Sequence, residues 1–288
     1  MPRCVALSFL LALTFSLAGC RPRSTAAACV PGTFDETLTS GGQVRSYRLH
    51  IPPEVSSGRP LPLVFGFHGA GSSGAQFEAY SGFSALADQA GFIAVYPQGL
   101  GELSNWDTNP GSQDVVLVQN LLDVLAARCK IDPARVYATG HSRGGGMANR
   151  LGCDLSDRIA AIGPVSGDYA NGEDCSPLHP VAVVAFHGTL DPTIPYNGFG
   201  LPGAIHESYT RIGTPIPTWA ADWAARDGCS PKPVQVYQEG QVNGQMWQGC
   251  RAGANVLLYT LSGGTHDWPA SLDAARLIWD FFAQHPKL

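Results

Sequence analysis

Ser142 stands in the pentapeptide Gly140-His141-Ser142-Arg143-Gly144, with Arg135-Val136-Tyr137-Ala138-Thr139 before it and Gly145-Gly146-Met147-Ala148-Asn149-Arg150-Leu151 after it. The upstream run reads as a short buried strand and the downstream run as the start of a helix. A serine on so sharp a strand-to-helix turn is held exposed, and small residues on either side let backbones pass closely. A G-x-S-x-G match by itself can be no more than a tight turn. Here the match occurs once and in the required strand-turn-helix setting.

A serine hydroxyl is a weak nucleophile at neutral pH and needs a base within hydrogen-bond reach, itself oriented by a third group. Chains that carry the serine on such a turn place an acid and then a histidine after it, in that order. His266, in Gly263-Gly264-Thr265-His266-Asp267-Trp268-Pro269, follows the last expected strand and precedes the last expected helix, and is taken as the base. His187 closes the apolar run Val183-Val184-Ala185-Phe186 and reads as a structural residue of that turn, while His285 trails the final helix. Asp191, in His187-Gly188-Thr189-Leu190-Asp191-Pro192, lies just past a strand's C-terminal end, where α/β sheets place catalytic groups. Asp168, past the preceding strand, is the alternative acid; Asp267 adjoins the base too closely to orient it.

An acyl-transfer site also needs donors for the developing oxyanion. The run Phe65-Gly66-Phe67-His68-Gly69-Ala70-Gly71 follows an early strand and keeps its backbone bare, so the Ala70 N–H and the Arg143 N–H are the expected donors. Read instead as a phosphate cradle, this run lacks the following Lys-Ser/Thr and an acid placed to read a ribose. The mechanism these residues describe requires no cofactor. Ser142 attacks an ester carbonyl, His266 moves the proton to the leaving alcohol, Asp191 holds the imidazole, and water releases the acyl group.

The elements that must position these groups follow from hydrophobic patterning. Strands are expected at Val44 to Ile51, Leu61 to Phe67, Phe92 to Tyr96, Arg135 to Thr139, Ile159 to Val165, Val181 to Phe186 and Val256 to Leu261. Helices are expected at Gln76 to Gln89, Gln113 to Arg128, Gly145 to Leu151, Trp219 to Arg226 and Leu272 to Phe282. Strands alternating with helices imply a mostly parallel central sheet with helices on both faces. The Gly- and Pro-rich stretch from Pro192 to Pro217 reads as a long loop beside the site.

At 288 residues one catalytic domain is the default, and a monomer is expected. A formal net charge of -5, with charged residues at only 14% and no basic run, gives no electrostatic footprint for nucleic acid. Residues 1–20 carry one basic residue, Arg3, then the apolar run Val5 to Leu17, which describes an export signal. Its exit, Leu17-Ala18-Gly19-Cys20, resembles a bacterial lipobox and implies lipid attachment at Cys20, with residues 21–28 as a tether to a domain at 29–288. The expected location is therefore extracellular, at a cell surface or facing the periplasm.

Six cysteines remain for an oxidising compartment, and they allow fifteen connectivities. Proximity in the chain suggests Cys153 with Cys175 and Cys229 with Cys250, leaving Cys29 for Cys129. A metal site is not expected, since neither C-x-x-C nor H-x-x-x-H spacing occurs.

With these residues placed, the chain resembles the secreted feruloyl esterases of the polyhydroxybutyrate-depolymerase-like group, within the α/β-hydrolase superfamily. The resemblance rests on Ser46-Tyr47-Arg48-Leu49-His50-Ile51-Pro52, Phe67-His68-Gly69-Ala70-Gly71, Val95-Tyr96-Pro97-Gln98-Gly99, Cys129 to Tyr137 and the Ser142 turn. Phe186-His187-Gly188 with Asp191, Ile194-Pro195-Tyr196, Trp223 to Cys229 and His266-Asp267-Trp268-Pro269 are similar to the feruloyl-esterase branch. It implies an α/β-hydrolase fold, Ser142, Asp191 and His266 as the triad, and hydroxycinnamoyl esters of plant cell-wall polysaccharide as substrates. Trp106, Tyr196, Phe199 and Trp268 are candidates to contact an aryl group, weighed against ordinary packing of the same rings. Arg143 departs from the group, where a small amide residue is common, and sets a cation near the acyl site. Two further readings stand beside this one: a short-chain polyester depolymerase on the same scaffold, and a non-catalytic carbohydrate-binding surface lipoprotein. A strained serine with an oxyanion loop argues against the last.

Overall fold

A computed structural model describes residues 28–169, 174–198 and 213–288. The expected export signal, Cys20, residues 21–27 of the tether and Phe199 lie outside the described residues. Among the described residues, ten strands form a single sheet in the order β1-β2-β4-β3-β5-β6-β7-β10-β9-β8. They are β1 (Gly32–Ser40), β2 (Gln43–Ile51), β3 (Leu61–Phe67), β4 (Ile93–Pro97), β5 (Ile131–His141), β6 (Ala161–Val165), β7 (Ala182–Gly188), β8 (Val234–Glu239), β9 (Val242–Trp247) and β10 (Val256–Leu261). The six central strands, from β4 across to β10, run parallel, and an antiparallel pair closes each edge.

The central strands are apolar because both of their faces are covered. Along β3, Leu63, Phe65 and Phe67 point into one cluster, with α3 (Gln113–Arg128), α4 (Arg143–Asp154) and α5 (Ile216–Arg226). Val64 points into the other, with α1 (Gly74–Ser81), α2 (Phe83–Ala90) and α6 (Ala274–Gln284). This is the α/β-hydrolase fold.

Three expectations are corrected. The edge strands β1, β8 and β9 were not expected; each is partly solvated, and the two-residue Gly41-Gly42 turn that folds β1 onto β2 was the available signal. The single helix expected at Gln76 to Gln89 is two, α1 and α2, because Gly82 adopts a left-handed φ of 75° that ends the first helix and starts the second. The stretch from Pro192 to Pro217 gives way to α5 at Ile216; within it, residues 199–212 lie outside the described ones. All three disulfides join as chain proximity suggested: Cys29–Cys129, Cys153–Cys175 and Cys229–Cys250. No helix among the described residues is long and apolar enough to cross a membrane.

Topology decides where chemistry can occur. The chain leaves β3 to build β4 on one side, then returns to place β5 on the other. At such a reversal the loops after the two neighbouring strands diverge and leave a crevice at their C-terminal ends. The loop after β3 is His68-Gly69-Ala70-Gly71, and the turn after β5 carries Ser142.

Candidate active site

Ser142 occupies the turn between β5 and α4 with φ 57° and ψ -121°, a left-handed conformation rare for a residue with a side chain. The turn is tight enough to exclude side chains beside it: a Cβ on Gly140 would lie 2.4 Å from the Gly144 carbonyl oxygen, and one on Gly144 2.1 Å from that of Phe67. Both motif glycines are therefore required by contact, and the strain holds the hydroxyl out of the sheet.

His266 and Asp191 reach the serine from two other loops. Asp191 follows β7 and His266 follows β10, and these parallel neighbours carry their loops side by side. The loops are fastened by the Leu190 N–H on the Gly264 carbonyl, the Thr189 N–H on the Leu261 carbonyl, and the Gly263 N–H on the Thr189 hydroxyl, each at 2.9 Å. A Cβ on Gly188 would sit 2.2 Å from the Gly264 oxygen, so the close approach depends on that glycine. The result is a hydrogen-bonded chain: His266 Nδ1 to Asp191 Oδ2 at 2.7 Å, and His266 Nε2 to Ser142 Oγ at 2.9 Å.

The electrostatics fix the direction of that chain. Burial alone would raise the Asp191 carboxyl, but hydrogen bonds from His187, His266 and the Ile194 N–H hold it well below the usual carboxylate range. An ionised Asp191 accepts a proton-bearing Nδ1, which leaves Nε2 as an acceptor for the serine O–H. Its other oxygen takes the Thr193 and Ile194 N–H groups, both at 2.8 Å. His187 is 1% exposed and donates from Nε2 to the Ile194 carbonyl at 2.8 Å, with Asp191 Oδ2 3.3 Å away. It braces the acid's turn, in keeping with the structural reading.

Asp168, the alternative acid, is committed elsewhere. It pairs with the Arg143 guanidinium at 2.9 Å. The cation that the sequence sets near the acyl site is thus balanced by its own carboxylate. Gly69 passes beside the nucleophile, where a Cβ would lie 3.3 Å from that of Ser142, and exposed Ala70 comes next in that turn. The Arg143 N–H opens α4. The first N–H groups of a helix have no partner within it, and the helix dipole favours negative charge at that end.

The three candidate aryl contacts that lie among the described residues fare differently. Trp106 is 1% exposed, packs edge-on against Phe67 and donates its indole N–H to the His68 carbonyl at 2.8 Å. It is therefore a buried support under the loop after β3 and presents no face to a ligand. Tyr196 is half-buried, with its hydroxyl 2.7 Å from that of Thr260. Trp268 is half-buried two residues after His266 and packs against Phe77, Tyr80 and Phe83.

Two neighbours escaped the sequence reading. His141 has its ring centroid 5.0 Å from that of His266, and burial, aided by repulsion from His266, pushes it down to about 4, so it adds no second charge beside the base. Its place before the serine was the available signal. Tyr80, 38% exposed, stands 6.2 Å from His141 and 6.1 Å from Trp268. No sequence pattern singles it out from the rest of α1. Among the described residues, no cluster of His, Cys, Asp and Glu could hold a metal ion.

A strained serine, its histidine and a buried carboxylate at the C-terminal edge of a mostly parallel sheet define the class as α/β-hydrolase. Residues 45–194 match the family model described as Esterase PHB depolymerase, and the chain belongs to that family. It is 32% identical over 254 residues to feruloyl esterase B of Piromyces equi, covering 83% of this chain and 45% of that protein. Against feruloyl esterase D of Neurospora crassa it is 27% identical over 303 residues, 96% of each chain. The fold is also that of an acetyl xylan esterase from Aspergillus awamori, with a TM-score of 0.66 at 16% identity over 88% of this chain and 99% of that one.

Proposed function

We propose that the protein is a serine carboxylic-ester hydrolase that releases hydroxycinnamic acids, feruloyl groups above all, from plant cell-wall polysaccharide. The observation that carries the reading is the chain from Ser142 through His266 to Asp191 at 2.9 and 2.7 Å, set on a strained turn. Ser142 Oγ attacks the ester carbonyl while His266 Nε2 takes its proton. Asp191 holds the imidazole and stabilises the cation that forms. The Ala70 and Arg143 N–H groups receive the oxyanion, a contribution worth about two to four kcal/mol per donor. His266 then protonates the departing sugar oxygen as the C–O bond breaks, releasing the sugar as its alcohol, and water repeats the sequence to free the acid.

The substrate class is supported by the relatives named as feruloyl esterases in Piromyces equi and Neurospora crassa, the first of which this chain spans for less than half its length. Three disulfides and the apolar run Val5 to Leu17 support an exported protein. Lipid attachment at Cys20, a tether at 21–28, a catalytic unit at 29–288 and a monomeric state complete the proposal. The family description favours one second reading, a short-chain polyester depolymerase.

The test is hydrolysis of methyl ferulate, methyl caffeate, p-nitrophenyl acetate and polyhydroxybutyrate by wild type and Ser142→Ala. Aryl esters should turn over and the variant should be inactive on all four. Turnover of polyhydroxybutyrate alone would move the assignment to the depolymerase, and full activity in Ser142→Ala would end both.

A further inference from the structure

The Arg143 side chain makes three hydrogen bonds that the serine turn itself does not need. Nη1 pairs with Asp168 Oδ2 at 2.9 Å, Nη2 donates to the Trp106 carbonyl at 2.8 Å, and Nε donates to Asn105 Oδ1 at 3.2 Å. Two of the three thus end on the segment between β4 and α3. Asn105 Oδ1 also takes the Trp106 N–H at 2.9 Å, so one side chain fixes both residues of that turn.

The same segment carries the oxyanion loop. The Trp106 indole N–H holds the His68 carbonyl at 2.8 Å, and the Gly71 N–H is bound to the Leu103 carbonyl at 2.6 Å. From the other side, the Gly99 N–H donates to His68 Nε2 at 3.0 Å, which leaves the ring proton on Nδ1 to reach the Gly69 carbonyl at 2.7 Å. Burial lowers the His68 pKa, in keeping with this neutral ring. Residues 99–106 therefore anchor His68 and Gly71 on either side of Ala70, and the anchored His68 ring in turn holds the Gly69 carbonyl.

We propose that the Arg143 side chain is a positioning residue that couples the two oxyanion donors: its own N–H is one of them, and its guanidinium, through Asn105 and Trp106, sets the loop that carries the other. The inference rests on the oxyanion assignment above. It gives a role to a residue type that the resemblance does not account for. Every substitution at 143 except proline keeps the main-chain donor, so a loss of rate measures the tether and not the N–H. Displacement of a preorganised group by about 1 Å costs roughly a hundredfold. One tether lost among several should cost somewhat less.

The experiment compares wild type, Arg143→Met, Arg143→Lys, Trp106→Phe and the Met/Phe double variant on methyl ferulate, with Tm recorded for each. Phenylboronic acid, which forms a tetrahedral adduct on a serine, probes the oxyanion site, and free ferulate probes ground-state binding. Arg143→Met should lower kcat roughly ten- to a hundredfold with KM within about threefold, and weaken phenylboronic acid by a similar factor while ferulate affinity holds. Trp106→Phe keeps an aromatic ring, smaller than the indole, deletes the indole donor and should show the same pattern. The double variant should lose less than the product of the two. Arg143→Lys keeps the charge without the three-way fork and should resemble Arg143→Met.

A kcat within about threefold of wild type in folded Arg143→Met, restoration by lysine, or independent losses in the double variant would each overturn the proposal. Should Arg143→Met fail to fold, Trp106→Phe with the two probes decides it in the same way. An inactive Ser142→Ala beside an unimpaired Arg143→Met would sink this inference alone; an active Ser142→Ala would sink the reading beneath it.

Discussion

Replacing Asp191 by asparagine separates the proposed acid from every structural alternative. Oδ1 accepts the Thr193 and Ile194 N–H groups at 2.8 Å each, so the asparagine oxygen is held there. Its NH2 must then occupy the place of Oδ2, facing His266 Nδ1 at 2.7 Å and the N–H of His187 at 3.3 Å. Two donors cannot face each other at those distances, and His266 relieves the conflict by moving its proton to Nε2. That nitrogen then points a proton at Ser142 and cannot act as its base. A wrong tautomer in an intact serine triad costs ~10⁴ in kcat, which is about 5 kcal/mol at 1.36 kcal/mol per tenfold. The Asp191 side chain has no exposed surface, so it does not touch substrate and KM should change little. Initial rates on methyl ferulate provide the assay. Asp168→Asn keeps the Arg143 bonds to Asn105 and Trp106, and its loss should stay below about tenfold. A loss below about tenfold in Asp191→Asn, or a greater one in Asp168→Asn, would refute the assignment.

Two stability predictions follow from features away from the triad. Cys29–Cys129 closes a sequence separation of 100, against 22 and 21 for the other two disulfides, so Cys29→Ser with Cys129→Ser should lose about 4 to 5 kcal/mol in denaturant unfolding and each shorter pair about 3. Asp227 is fully buried with Oδ2 unpartnered, and burial raises its carboxyl to about 7. The folded state therefore binds the extra proton between about 4 and 7, and stability falls as pH rises through that window, by on the order of 4 kcal/mol. Asp227→Asn should remove most of that slope, raising Tm at pH 8 far more than at pH 4. An equal shift at both would show that the carboxyl stays ionised throughout.

The central strands were legible because each is a short apolar run bounded by turn residues, as β3 and β10 demonstrate by beginning and ending where expected. The edge strands were not. In β1 exposure alternates but polarity does not, since Glu36 and Ser40 share the covered side with Phe34 and Leu38, a weaker signal in a chain where 44% of residues are hydrophobic. The break at Gly82 was missed because α1 and α2 share one apolar periodicity: Phe77, Phe83, Leu86 and Ala87 all enter the same cluster. The glycine's left-handed turn changes direction without changing which faces are buried.

The nucleophile and its turn were written in the sequence itself, since strand, glycines, serine and helix are neighbours and their conformations are decided within a few bonds. The order Ser142, Asp191, His266 likewise follows from chain order once strands are placed. The choice between Asp168 and Asp191 needed tertiary structure, because both follow strands and differ only in which loop lies against that of His266. The burial of Trp106 and the balancing of Arg143 by Asp168 needed it too. Each depends on residues from separate segments meeting at hydrogen-bond distance, and such distances are set by how β3, β5, β6, β7 and β10 stand side by side in the sheet.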